Sequence, residues 1–189
     1  LTEQPEVIAR EGDSLVLTID RSIQYLVEQR LSRAIAEHGA QDGTIIVMDP
    51  RSGAILAMAS TPCFDPNVYY QVPDASVFLN PATSKQYEPG SVMKLITMAA
   101  ALDSGTVTPN STYYDSGVMQ IGGAQIYNWD RGAYGQTDMT TLLVNSLNVG
   151  ASTLATWMGP ETFYTYLDRF GFGRPTGIDV MAEASGVMN

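Results

Sequence analysis

The chain has 189 residues, 44% hydrophobic and 16% charged, with a formal net charge of -10. That is enough chain for one globular domain with a buried core. The acidic balance argues against nucleic acid or an anionic membrane surface as partner, since both select a basic face. No run approaches the length of a membrane span and no signal peptide is visible, so any anchor lies outside these residues. The single cysteine, Cys63, excludes an internal disulfide and a multi-cysteine metal site, and the single histidine, His38, excludes a two-histidine metal motif.

In chain order, residues 1–13 are polar, carry Pro5 and Gly12, and read as an entry segment. Leu15-Val16-Leu17-Thr18-Ile19 reads as a short strand. Asp20 is a good helix N-cap. Ile23, Leu26, Val27, Leu31, Ala34 and Ile35 then recur at helical spacing, which predicts an amphipathic helix over 21–37 closed by Gly39. Beside that glycine, His38 reads as a C-terminal helix histidine rather than the base of a Ser-His-Asp triad. Asp49-Pro50-Arg51-Ser52-Gly53 is strong turn chemistry between two β-rich runs and predicts an antiparallel hairpin, 44–49 with 54–60. Both runs are almost continuously apolar, so both faces should be covered, and the preceding helix can cover only one.

Residues 61–86 carry Pro62, Pro66, Pro73 and Pro81 with little periodicity and form a long excursion. Tyr69, Tyr70 and Phe78 are candidates to anchor it by packing, with simple burial as the plainer reading, and Cys63 is expected to be a buried or incidental thiol. Pro89-Gly90 then breaks the backbone ahead of an apolar helix over 91–103 that Gly105 stops. Its packing side is Met93, Ile96, Thr97 and Ala100, and Ala99 to Ala101 suit close helix packing. Residues 107–138 are rich in Gly, Asn, Tyr and Thr, with Gly122-Gly123 as a hairpin turn. They read as a β-meander or loops over the mouth of a cleft. Asn128-Trp129 either lines its rim or packs the indole inside, the commoner outcome. Helices are predicted over 140–145, 149–158 and 160–170, with a break at 146–148 and Pro160 allowed in a first turn. Gly171 and Gly173 end the last of them, and 174–189 is irregular.

The chemistry gathers at Ser91 and Lys94, three residues apart and so on one helix face. A serine hydroxyl is a weak nucleophile without a base beside it. Lysine serves as that base if desolvation or a neighbouring cation lowers its pKa, and Val92, Met93, Leu95 and Ile96 point to desolvation. The helix N-terminus favours negative charge developing on the serine oxygen. Alone, S-x-x-K recurs by chance as a surface serine and a solvated lysine. Three features count against that here: the Pro89-Gly90 break, the scarcity of lysine (only Lys85 and Lys94), and Ser146-Leu147-Asn148 between two helical patterns. S-x-x-K followed by S-x-N is the pattern of penicillin-recognising serine acyltransferases.

On these residues the chain resembles the class B penicillin-binding proteins, the cell-wall D,D-transpeptidases. Tyr87-Glu88-Pro89-Gly90-Ser91-x-x-Lys94 carries the likeness, and Tyr87-Glu88 favours class B over the bifunctional class A enzymes. Leu17-Thr18-Ile19-Asp20, Val47-Met48-Asp49-Pro50, Ala57-Met58-Ala59, Phe64-Asp65-Pro66-Asn67 and Thr176-Gly177-Ile178-Asp179 with Glu183 extend it over nearly the whole chain. Met181-Ala182 stands where the family usually has Pro-Gly. The resemblance implies a mixed α/β fold of the penicillin-binding-protein and serine β-lactamase type, as one truncated domain over 1–189. That domain would hold the helical part and the first hairpin of the sheet, without the C-terminal strands.

The resemblance also implies roles. Ser91 attacks the penultimate D-alanine carbonyl of a stem peptide, Lys94 takes its proton, Ser146 relays a proton to the leaving amine, and Asn148 bonds a substrate amide and the lysine. β-Lactams would acylate the same serine. No metal or organic cofactor is implied. The protein would sit at the extracytoplasmic face of the cell membrane, with a polytopic membrane glycosyltransferase as a common partner of the class. The family's third motif, Lys-Thr-Gly or Lys-Ser-Gly, is absent, since neither lysine is followed by that pair. Arg174-Pro175-Thr176-Gly177 is no substitute, because proline cannot donate to a sheet ladder. That motif supplies one oxyanion-hole donor, worth about 2.7–4 kcal/mol of transition-state stabilisation, so these residues alone are expected to be inactive. Two other readings stay open: a serine β-lactamase or β-lactam sensor, and a non-catalytic scaffold. Asn148 speaks against class D β-lactamases and sensors, which usually carry an aliphatic residue there.

Overall fold

The computed structural model describes residues 12–188, so residues 1–11 of the expected entry segment lie outside the described residues. The chain divides into two compact units, Leu1–Lys85 with Val180–Ala182, and Gln86–Asp179 with Glu183–Asn189.

In the first unit, helix α1 (Arg21–His38) starts where predicted. The Asp20 carboxylate accepts from the backbone N–H groups of Ser22 and Ile23, and Gly39 closes the helix at φ 61. Strands β1 (Gly43–Met48) and β2 (Ile55–Thr61) form the predicted antiparallel hairpin. Val27 and Leu31 of α1 are buried against Ala57 and Ala59 of β2, flanked by Ile23, Ile35, Ile45 and Val47. Leu26 and Ala34, expected in that stripe, are exposed. The Gln24 side-chain amide donates to the Met58 carbonyl at 3.0 Å and accepts from the Met58 N–H at 2.8 Å, satisfying the edge of β2. The other face of the hairpin is covered in part, by the short helix α2 (Pro81–Ser84), whose N-cap Asn80 contacts Met58 and Ser60. Ile46 and Met48 stay exposed there, so the expectation of two fully covered faces is corrected.

Two further expectations fail in this unit. Leu15-Val16-Leu17-Thr18-Ile19 is not a strand, and Leu15, Val16 and Leu17 are largely exposed. β-Propensity does not make a strand without a ladder partner. The Thr18 hydroxyl bonds the Ile55 carbonyl at 2.5 Å and the Asp20 N–H bonds the Leu56 carbonyl at 2.8 Å. In the excursion, Tyr69, Tyr70 and Phe78 are exposed rather than buried. Phe78 instead stacks edge-on against Phe64, with ring centroids 4.8 Å apart. Cys63 is an exposed free thiol.

In the second unit, helix α3 (Met93–Asp103) packs against α5 (Asn148–Arg169) through Met98, Ala100, Ala101, Leu154 and Met158. The two helices predicted over 149–158 and 160–170 form one element broken at Gly159, whose φ of 76 and ψ of 162 interrupt it before Pro160. Between α3 and α5 lie two nested hairpins. Strand β3 (Thr112–Asp115) pairs with β6 (Gly135–Asp138), and enclosed between them β4 (Val118–Ile121) pairs with β5 (Ala124–Tyr127) around Gly122-Gly123. Helix α4 (Met139–Val144) follows, capped by the Asp138 carboxylate on the Thr141 N–H.

Candidate active site

Ser91 lies in the 3-10 turn Gly90–Val92 that leads into α3, and Lys94 lies in the first turn of that helix. Gly90 makes the approach possible, because its φ of 59 is one that L side chains rarely adopt. Ser91 is exposed, as a nucleophile must be, while Lys94 is half-buried. Ser146 arrives from the turn between α4 and α5 with a φ of 51. A left-handed backbone at a non-glycine residue costs on the order of 1–3 kcal/mol and is retained where surrounding structure enforces it. Here the Ser146 carbonyl and hydroxyl both face Lys94.

The three side chains meet. Lys94 Nζ donates to Ser91 Oγ at 3.1 Å, to Ser146 Oγ at 2.9 Å and to the Ser146 carbonyl at 2.5 Å. The Ser146 hydroxyl donates to Ser91 Oγ at 3.0 Å and closes the triangle. Among the described residues the lysine forms no ion pair. Desolvation by burial therefore pushes its pKa below the ordinary lysine value. The direction and the cause, desolvation, match the expectation. Of the four apolar neighbours named for it, Val92 and Leu95 are exposed, while Met93 and Ile96 are part-buried.

Asn148 opens α5 one residue beyond Leu147, and its Nδ2 donates to the Tyr127 carbonyl at 2.8 Å. Among the described residues no hydrogen bond joins Asn148 to Lys94, where one was expected; the lysine's partners are Ser91 and Ser146. Trp129 is exposed, not packed, and its Nε1–H donates to the Asn145 carbonyl at 3.3 Å. The alternative that it lines a rim is the one its exposure favours. Arg131 stacks over the Tyr127 ring at 4.1 Å.

A buried polar group behind the triangle was not legible as such in the sequence. Asp115, Asn128 and Tyr113 are almost wholly buried, and Asn128 reaches the backbone of Val149. The available signal was the alternation of β3, which sends Tyr113 and Asp115 inward, but nothing in the spacing joins them to Asn128.

Residues 43–189 match the family model described as the penicillin binding protein transpeptidase domain. The chain belongs to the penicillin-binding-protein transpeptidase family. Stage V sporulation protein D of Bacillus subtilis is 36% identical over 95% of this chain and 28% of its own length. Penicillin-binding protein PbpB of Mycolicibacterium smegmatis is 35% identical, over the same shares. The transpeptidase domain of penicillin-binding protein 3 from Burkholderia pseudomallei superposes with a TM-score of 0.78 at 27% identity, covering 92% of this chain and 47% of that one. The chain thus spans less than a third of the length of either of these two curated relatives. As a family member it carries the mixed α/β architecture expected from sequence, with the strands described above. No helix of the described residues is long and apolar enough to cross a membrane.

Proposed function

We propose that the intact protein is a peptidoglycan D,D-transpeptidase that works through a serine acyl-enzyme, with residues 1–189 contributing the front part of its catalytic domain. The triangle of Ser91, Lys94 and Ser146 supports this reading most directly. Lys94 in its neutral form accepts the Ser91 proton as Oγ attacks the carbonyl carbon of the penultimate D-alanine. The carbonyl oxygen takes up the negative charge. As the C–N bond breaks, Lys94 returns the proton through the Ser146 hydroxyl to the departing D-alanine amine. A second stem-peptide amine then attacks the ester, the cross-link forms, and the Ser91 hydroxyl is restored. Asn148 holds a substrate amide in line. β-Lactams acylate Ser91 by the same first step. This chemistry belongs at the extracytoplasmic face of the membrane, beside a polytopic glycosyltransferase that supplies glycan strands.

Incubating the intact protein with stem pentapeptide and an acceptor amine tests the reading. One D-alanine should be released for each cross-linked product. Rapid penicillin turnover with no D-alanine released from the stem peptide would instead identify a hydrolase of the β-lactamase type.

A further inference from the structure

We propose that Asn128 is a positioning residue for Asn148, acting as the N-terminal cap of α5 from a distant strand end; this rests on the transpeptidase reading above. Helix α5 begins at Asn148, and its own N-cap, Leu147, makes no side-chain capping bond. The first N–H groups of a helix have no intrahelical acceptor, and a buried one left unpaired is costly. Asn128 Oδ1 accepts from the Val149 N–H at 3.1 Å and fills that need from 21 positions away.

Asn128 is itself held on every side. It is 1% exposed, and its Nδ2 donates to Asp115 Oδ1 at 2.9 Å and to the Gly132 carbonyl at 3.0 Å. Asp115 is fully buried, and its carboxylate also accepts from the Gly117 N–H at 2.8 Å and the Tyr113 hydroxyl at 3.1 Å. Burial first, and then the Asp115 charge, push the Tyr113 hydroxyl well above its ordinary pKa, so it stays a donor. The chain of bonds runs from β3 through Asp115 and Asn128 to the first turn of α5. Asn148 immediately precedes the capped residue, and its own amide is steadied on Tyr127, next to Asn128 in sequence. Loss of the cap lets that turn fray and leaves the Asn148 amide held by its bond to Tyr127 alone.

The probe is penicillin, and the protein is the intact one. Acylation by wild type, Asn128→Ala, Asn148→Ala and the double variant is resolved into pre-covalent binding and the acylation step, with a thermal midpoint for each. Asn128→Ala should lower acylation efficiency about tenfold, the scale of a lost helix cap, with the label still on Ser91. In the Asn148→Ala background it should cost less than about twofold, because two residues acting as a unit are not additive. Asp115→Ala should follow Asn128→Ala. Asp115→Asn should recover most of the rate, since the Tyr113 hydroxyl can turn to accept from the new amide. If Asn128→Ala melts below the assay temperature, Asn128→Ser enters the same cycle. Equal losses in both backgrounds, or unchanged acylation in the capless variant, overturn the inference alone. Absence of any penicillin adduct in wild type overturns the transpeptidase reading beneath it.

Discussion

Lys94 faces three oxygens and no carboxylate among the described residues, and that asymmetry sets its behaviour. A half-buried ammonium without an anion is destabilised relative to the neutral amine, so the pKa falls. The acylation rate of the intact protein should therefore rise with pH as the amine loses its proton and level off above a midpoint below 10.5, the ordinary lysine value. A flat profile, or a midpoint at or above that value, would contradict the role as base. The same shift carries a sign for stability. Below the folded-state pKa both states hold the proton and folding bears the full desolvation cost. Between that pKa and the ordinary one, only the unfolded chain holds it, so this contribution to stability rises with pH. At this scale the sequence was highly legible. Ser91 and Lys94 sit three apart, and local spacing survives any tertiary arrangement. Ser146 was legible through the break in helical periodicity around it. The bond partner of Asn148 was not, because a side chain at a helix start is aimed by the turn, and the turn is set by contacts far along the chain.

Among the elements, α5 depends on close approach. A Cβ added at Gly150 would meet Leu142 at 2.6 Å and also the Tyr113 hydroxyl. In an open helix Gly→Ala would gain about 1 kcal/mol. Here overpacking of roughly 1–3 kcal/mol opposes it, and both neighbours belong to the packed core or its polar lining. Gly150→Ala should thus lower the denaturant midpoint of the intact protein; a raised midpoint would refute the packing argument. Element prediction succeeded where a cap or turn carried the signal. Asp20 and Gly39 bound α1, Gly122-Gly123 turns β4 into β5, and Gly159-Pro160 breaks α5. It failed where burial had to be inferred from composition. Leu15 to Leu17 and Tyr69-Tyr70 look like core residues in sequence, yet are solvent-facing in the structure. Hydrophobicity says a side chain gains from burial, not that a partner surface exists.

For the whole molecule, the family and its architecture were legible because the two chemical motifs and the turn signals between them agree with one another. The division into two compact units was not, since no composition shift marks the junction after Lys85. All four candidate site residues, together with the group behind them, fall in the second unit, so the chemistry can be followed without reference to the first. What ties the account together is a single reactive hydroxyl. Trypsin cuts after Lys85 and Lys94, which isolates Ser91 on the peptide 86–94, where it is the only serine. The intact protein is treated with penicillin, and the adduct is located by mass on that digest. The account predicts one penicilloyl group on Ser91 that vanishes in Ser91→Ala. A group on any other peptide, or one that persists in Ser91→Ala, would contradict it.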